Sequence, residues 1–252
     1  MTWLLTLAFD GTEYCGFQVQ PNGRSVAAAF QDGLEAVIGC RPDIKGCSRT
    51  DAGVHALGFA LSFEADLRIP PEKLPLALNT KLPRDIRVLK ARVVPDGFHA
   101  RYAAHTKTYL YRIHNSAIDS PFEERYYCRI PGRLDVARMQ QAAAGFVGTH
   151  DFLALCAAHS SAAAHGDTVR TITACGVERH GDTVEITVTA DGYLYNMVRI
   201  LAGTLCEAGA GRLDPAAVPA ILASRDRKNA GPTLPAKGLF LHHVDYGKEA
   251  EG

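Results

Sequence analysis

Tyr109, Tyr111 and Ile113 recur at every second position in the stretch 106–114, which is the period of a strand. The stretch 2–9 is apolar and rich in strand formers, and it ends at Asp10-Gly11, a turn signal. The period then changes. Val26, Phe30, Leu34, Val37 and Ile38 return at three- and four-residue spacing, predicting a helix over 25–38 with Ser25 as its N-cap and Gly39 as its stop. Strands follow over 44–47 and 58–64. Pro70-Pro71 opens a second helix that runs to Leu78 and is stopped by Leu82-Pro83, and 86–94 is again a strand.

Beyond residue 103 the theme repeats. After the strand 106–114 come a helix over 134–146 with Asp135 near its start, strands over 168–179 and 183–190 joined across His180-Gly181-Asp182, helices over 195–209 and 215–223, and a closing strand over 238–246. The two orders, β-α-β-β-α-β and β-α-β-β-α-α-β, predict an α+β protein. It is built of two related split β-α-β (ferredoxin/RRM-like) halves, with helices on one side of mostly antiparallel sheet. The boundary falls near Ala103, giving halves 1–103 and 104–252, with a cleft between them as the expected ligand site. The small-residue stretch 157–167 reads as a surface loop.

Composition narrows the class. The 252 residues carry 27 Lys and Arg against 27 Asp and Glu, a formal charge of zero. Bulk charge therefore does not drive this chain onto nucleic acid, which leaves room for a local basic cleft. Seven scattered cysteines with no CxxC pair exclude a disulfide framework or a zinc finger and read as small buried hydrophobes in a reducing compartment. The N-terminal stretch lacks a basic start and a cleavage site, and no apolar run approaches the ~18 residues of a membrane span. A cytoplasmic protein with no membrane contact is expected.

The chemistry concentrates in one turn, Gly46-Cys47-Ser48-Arg49-Thr50-Asp51-Ala52-Gly53-Val54-His55-Ala56, set between two strands. Gly53 permits a backbone turn that a Cβ would hinder. Arg49 and Asp51 are two apart, so on extended backbone they share a side. A plain turn stabilised by an Arg–Asp ion pair accounts for the same residues. Asp51 and His55 are spaced for a shared metal only on a helix, which Gly53 opposes, so no metal is expected.

Arg49-Thr50-Asp51-Ala52-Gly53-Val54-His55 resembles the signature of the TruA family of tRNA pseudouridine synthases. Phe98-His99-Ala100-Arg101, Lys107-Thr108-Tyr109, Thr168-Val169-Arg170-Thr171-Ile172, Asn196-Met197-Val198-Arg199 and Gly238-Leu239-Phe240 extend the likeness along almost the whole chain. The chain departs from the family at Phe17-Gln18, where Trp-Gln is usual, and in its Ala-rich loop 157–167.

The resemblance implies a homodimeric enzyme, without a required cofactor, that isomerises uridines 38, 39 and 40 of the tRNA anticodon arm. It implies Asp51 as nucleophile, Arg49 and Arg199 as its electrostatic partners, and Tyr109 packed on the target base. Asn79, Arg101, His55 and Met197 are further substrate-binding candidates. Of these, Arg101 is placed to meet phosphate and Asn79 to tie down a turn. Two other readings stay open on the residues alone. One is an RNA-binding protein without chemistry, which has no use for a carboxylate facing RNA. The other is a metal-dependent hydrolase using Asp51, His55 and His99 or His105.

Overall fold

A computed structural model describes residues 1–21, 23–157 and 164–247. The chain forms two compact units, one of residues 1–107 with the segment from Phe240, the other of Thr108–Leu239. Each is mixed α/β with a mostly antiparallel sheet, as the alternating periods predict.

In the first unit the sheet order is β4-β1-β3-β10, where β1 is Thr2–Phe9, β3 His55–Glu64, β4 Ile86–Val94 and β10 Leu239–Asp245. Trp3, Leu5 and Leu7 of β1 pair with Phe63, Leu61 and Phe59 of β3, and these large side chains are buried. Directly opposed residues share a face of the sheet, so odd positions of β1 build the core. The short β2, Lys45–Gly46, pairs with the C-terminal part of β3, Lys45 opposite Ser62 and Gly46 opposite Leu61. Helix α1, Val26–Ile38, is capped as its sequence predicts: Ser25 Oγ accepts from the Ala28 N–H at 3.2 Å, and Gly39 takes the left-handed conformation at φ +76°. Helix α2 is shorter than expected, Leu74–Asn79 instead of 70–78. The ring of Pro71 disfavours helical backbone at Pro70, so residues 70–73 form a turn that hands over to the helix.

Sequence order groups the closing strand with the second half. The strand pairs in parallel with β3, Phe240 opposite His55 and Leu241 opposite Ala56. Gly58 makes room for this, because a Cβ there would lie 2.5 Å from the His242 carbonyl oxygen.

In the second unit the order is β5-β9-β8-β7, with β5 Thr106–His114, β7 Gly148–Asp151, β8 Val169–His180 and β9 Thr183–Ala190. The β8–β9 hairpin turns at Gly181-Asp182 with His180 opposite Thr183. Short β6, Cys128–Arg129, pairs in parallel with β5. Helices α3 (Val136–Ala144), α4 (Met197–Gly209) and α5 (Val218–Ser224) complete it. Strand β7 has no counterpart in the sequence pattern, because its four residues are too few to show a period. Of the 157–167 loop, residues 158–163 lie outside the described residues.

The cysteines follow the core reading in part. Cys47, Cys128, Cys156 and Cys206 are buried, whereas Cys40 just beyond α1 is exposed. No described helix is long and apolar enough to cross a membrane.

Candidate active site

Residues 47–54 leave β2 and enter β3, and main-chain bonds fix much of the path. Cys47 donates its N–H to the Ala60 carbonyl at 2.9 Å, and its Sγ accepts the Ala60 N–H at 3.4 Å. Burial pushes the Cys47 thiol up to about 12, so it stays a neutral packing group. The Val54 N–H reaches back to the Asp51 carbonyl at 3.2 Å, closing a four-residue turn with Gly53 at φ +75° in its third place. That conformation is why glycine stands there.

A second segment, residues 10–17, braces this turn. Phe17 donates to the Thr50 carbonyl at 3.2 Å, and Gly53 donates to the Tyr14 carbonyl at 3.3 Å. The two backbones are so close that Gly11 and Gly16 have no room for a side chain: a Cβ would lie 2.0 Å from Val54 O and 2.5 Å from Thr50 O, respectively. Tyr14 is itself fixed by its hydroxyl, which donates to Asp85 Oδ1 at 2.7 Å, and burial drives that phenol well above its ordinary range. The turn therefore presents Asp51, half-buried, and Arg49, exposed, on backbone with little freedom to move.

The His55 ring is packed inside the fold. It is 1 % exposed, stacks on Phe240 at 4.7 Å and accepts the Gly11 N–H on Nδ1 at 3.0 Å. Nδ1 also lies 3.2 Å from Asp10 Oδ1, but that oxygen already accepts both the N–H and the hydroxyl of Thr12, and the Gly11 amide can only donate. His55 thus stands as a post under the turn.

Asn79 is likewise engaged within the fold. Its Nδ2 donates to Val88 O and its Oδ1 accepts the Val88 N–H, both at 2.9 Å, so the side chain ties α2 to β4. Asn79→Ala should cost about 1–3 kcal/mol by leaving two backbone groups unpaired, while KM for tRNA stays unchanged. Urea unfolding together with steady-state kinetics would check both halves of that expectation.

Arg101 is exposed, as its phosphate-binding expectation requires, and its guanidinium lies 5.8 Å from the centre of the Tyr102 ring. The loop beneath it is anchored: Ala100 donates its N–H to Ser62 Oγ at 3.0 Å, and its carbonyl accepts the Tyr246 hydroxyl at 2.8 Å.

In the second unit, Tyr109 on β5 is 6 % exposed and meets Tyr193 edge-on at 4.8 Å. Tyr193 is held by its hydroxyl, which donates to Val188 O at 2.8 Å. Tyr111 is structural, with its hydroxyl on Pro235 O at 2.8 Å. Arg199, in the first turn of α4, donates from Nε to Leu234 O and from Nη1 to Asn196 Oδ1, both at 2.7 Å. Two directions of the guanidinium fork are therefore set by the protein itself. Asn196 adopts φ +62° at the helix entrance, a conformation asparagine tolerates better than most residues. Met197 is 1 % exposed and packs in the core.

The braces Gly11, Gly16, Tyr14, Asn196 and the Leu234 carbonyl are not evident from the sequence. Only Asp10-Gly11 carries a signal there, and it reads as ordinary turn punctuation. Among the described residues no three His, Cys, Asp or Glu side chains are grouped to share a metal ion.

A family model described as tRNA pseudouridine synthase matches residues 6–103 and 142–247. The chain is 46% identical over 244 residues to the tRNA pseudouridine synthase A of Moorella thermoacetica, covering 96% of this chain and 98% of that one. It is 42% identical to the proteins of the same name from Caldicellulosiruptor saccharolyticus and Bacillus pumilus, covering 96% of this chain in both and 98% and 97% of theirs. The chain belongs to the tRNA pseudouridine synthase family. It is an isomerase that converts uridine to pseudouridine in tRNA. A purely RNA-binding role and a metal-dependent hydrolase both give way to this chemistry.

Proposed function

We propose that the enzyme isomerises the uridines at positions 38, 39 and 40 of the tRNA anticodon arm, with Asp51 as nucleophile. The reaction breaks the bond between uracil N1 and ribose C1′, turns the base, and joins C5 to C1′. The proton on C5 passes to a base and N1 gains one, so no electrons are exchanged. A carboxylate that bonds covalently divides this into two easier steps. The observation that carries the reading is the turn 51–54, in which Asp51 stands half-buried on backbone braced by residues 10–17.

In this reading Arg49 and Arg199 steady the charge that moves during reaction. Tyr109 lies beneath the uracil once it has left its stack. The working form is a cytoplasmic homodimer that needs no cofactor, each tRNA touching both subunits. Serving three neighbouring positions calls for recognition of RNA shape more than of base edges.

Transcripts carrying a single uridine at 38, 39 or 40 test the positions directly, with pseudouridine mapped by chemical modification. Product at each of the three supports the assignment, and product only outside the anticodon arm overturns it. Light scattering of the free protein reads the dimer. Arg199→Lys retains charge and loses the fork that Leu234 and Asn196 orient. It should lower kcat about a hundredfold with a much smaller change in KM. An unchanged kcat would remove Arg199 from the reaction.

A further inference from the structure

The chain is neutral overall, yet residues 81–92 hold five cations, Lys81, Arg84, Arg87, Lys90 and Arg92, against one carboxylate, Asp85. Asp85 is occupied by the Tyr14 hydroxyl. Among the described residues, none of the five cations has a carboxylate partner. Arg87 is anchored on the carbonyls of Pro83 and Ile86, and the other four are exposed.

The strand geometry lines these charges up. Arg87, Lys90 and Arg92 stand opposite Ala8, Thr6 and Leu4 of β1, all on the face opposite the Trp3–Leu5–Leu7 core. A spacing of three would ordinarily send Arg87 and Lys90 to opposite sides. The register shift between Thr6 and Leu7 leaves Leu89 as an extra residue and brings the cations onto one face. The row is a single-sign strip along the outer strand of the first unit's sheet.

The strip also has a definite start. The Asp10 N–H donates to the Asp85 carbonyl at 2.9 Å, and Tyr14 holds the Asp85 side chain. The same segment bonds to the Asp51 turn through the Tyr14 carbonyl and to His55 through the Gly11 N–H. The cations therefore begin beside that turn and run away from it along a nine-residue strand, about 30 Å long.

We infer that Lys81, Arg84, Lys90 and Arg92 form a phosphate-binding track that takes the tRNA backbone beyond the reacting uridine. This rests on the reading of residues 47–54 as the active-site turn. Charged residues also protect sheet edges from pairing with other chains. Edge protection works with either sign, and it needs no charge on the turn at Lys81 and Arg84, where there is no strand to shield. A track for a polyanion requires both features.

The test is Lys90→Gln with Arg92→Gln, measured for binding of an unmodified tRNA transcript across a salt series. Losing two phosphate contacts should reduce the slope of log K against log salt by about 1.4–1.8, and weaken binding roughly tenfold or more at about 0.1 M salt. Turnover at saturating tRNA should stay at the native level. Lys90→Arg with Arg92→Lys keeps both charges and should bind as the native chain does. Arg41→Gln with Arg212→Gln removes two arginines already paired with carboxylates and controls for net charge. Native affinity and slope in the Lys90/Arg92 variant, with its fold intact by thermal unfolding, would overturn the track and leave edge protection as the sole role. Asp51→Asn reads the active-site assignment separately, since it should abolish turnover and leave binding and salt slope alone.

Discussion

Gly11→Ala is expected to destabilise the protein by about 1–3 kcal/mol and to lower turnover about a hundredfold. The added Cβ would lie 2.0 Å from the Val54 carbonyl oxygen, a backbone atom that no rotamer change can clear. Either the segment 10–12 withdraws or Val54 shifts. Withdrawal removes the Gly11 N–H from His55 Nδ1, and a shift of Val54 pulls on the bond from its N–H to the Asp51 carbonyl. Both routes move the carboxylate, and a displacement near ~1 Å suffices for the loss in rate. Gly39→Ala makes a useful comparison, because a Cβ there would meet no atom within 4 Å although the residue's φ is +76°. It should cost stability through backbone strain and leave kcat intact. Denaturant unfolding and turnover at saturating tRNA would separate the two effects. Full activity in Gly11→Ala would show that the turn yields without carrying Asp51 with it.

The features legible in the sequence are those with local causes. Alternation of Tyr109, Tyr111 and Ile113 marks β5 because a strand sends every second side chain to one side. Ser25 and Gly39 mark the ends of α1 because capping and left-handed backbone are properties of single residues. Gly53 marks the Asp51 turn for the same reason.

The features that are not legible depend on partners far away in the chain. No local pattern announces that β10 pairs with β3, since the choice lies in the meeting of Gly58 with the His242 carbonyl. His55 and Asn79 look like ligand-binding groups because they are polar and stand near the signature or in a turn. Their bonds to the backbone at Gly11 and Val88 become visible only when the fold is assembled. Met197 stands close to Arg199 in sequence, but a helix turns successive residues by about 100° and sends these two side chains in different directions. The basic strip is hidden twice, by a net charge of zero and by odd spacing that only the shift at Leu89 corrects.

Asp51→Asn carries the largest expected effect. The amide is nearly the same size as the carboxylate, and the main-chain bonds of the turn do not involve the side chain. Fold and tRNA binding should therefore survive while the nucleophile is lost, so turnover should fall by at least about 10⁴. The most direct measurement is pseudouridine formation in an unmodified tRNA transcript, with EDTA present, comparing the native chain with Asp51→Asn at equal bound tRNA. Product from the native chain and none from the variant is the result expected of a nucleophilic Asp51. Equal product from both would contradict it and make Asp51 a residue of the turn alone.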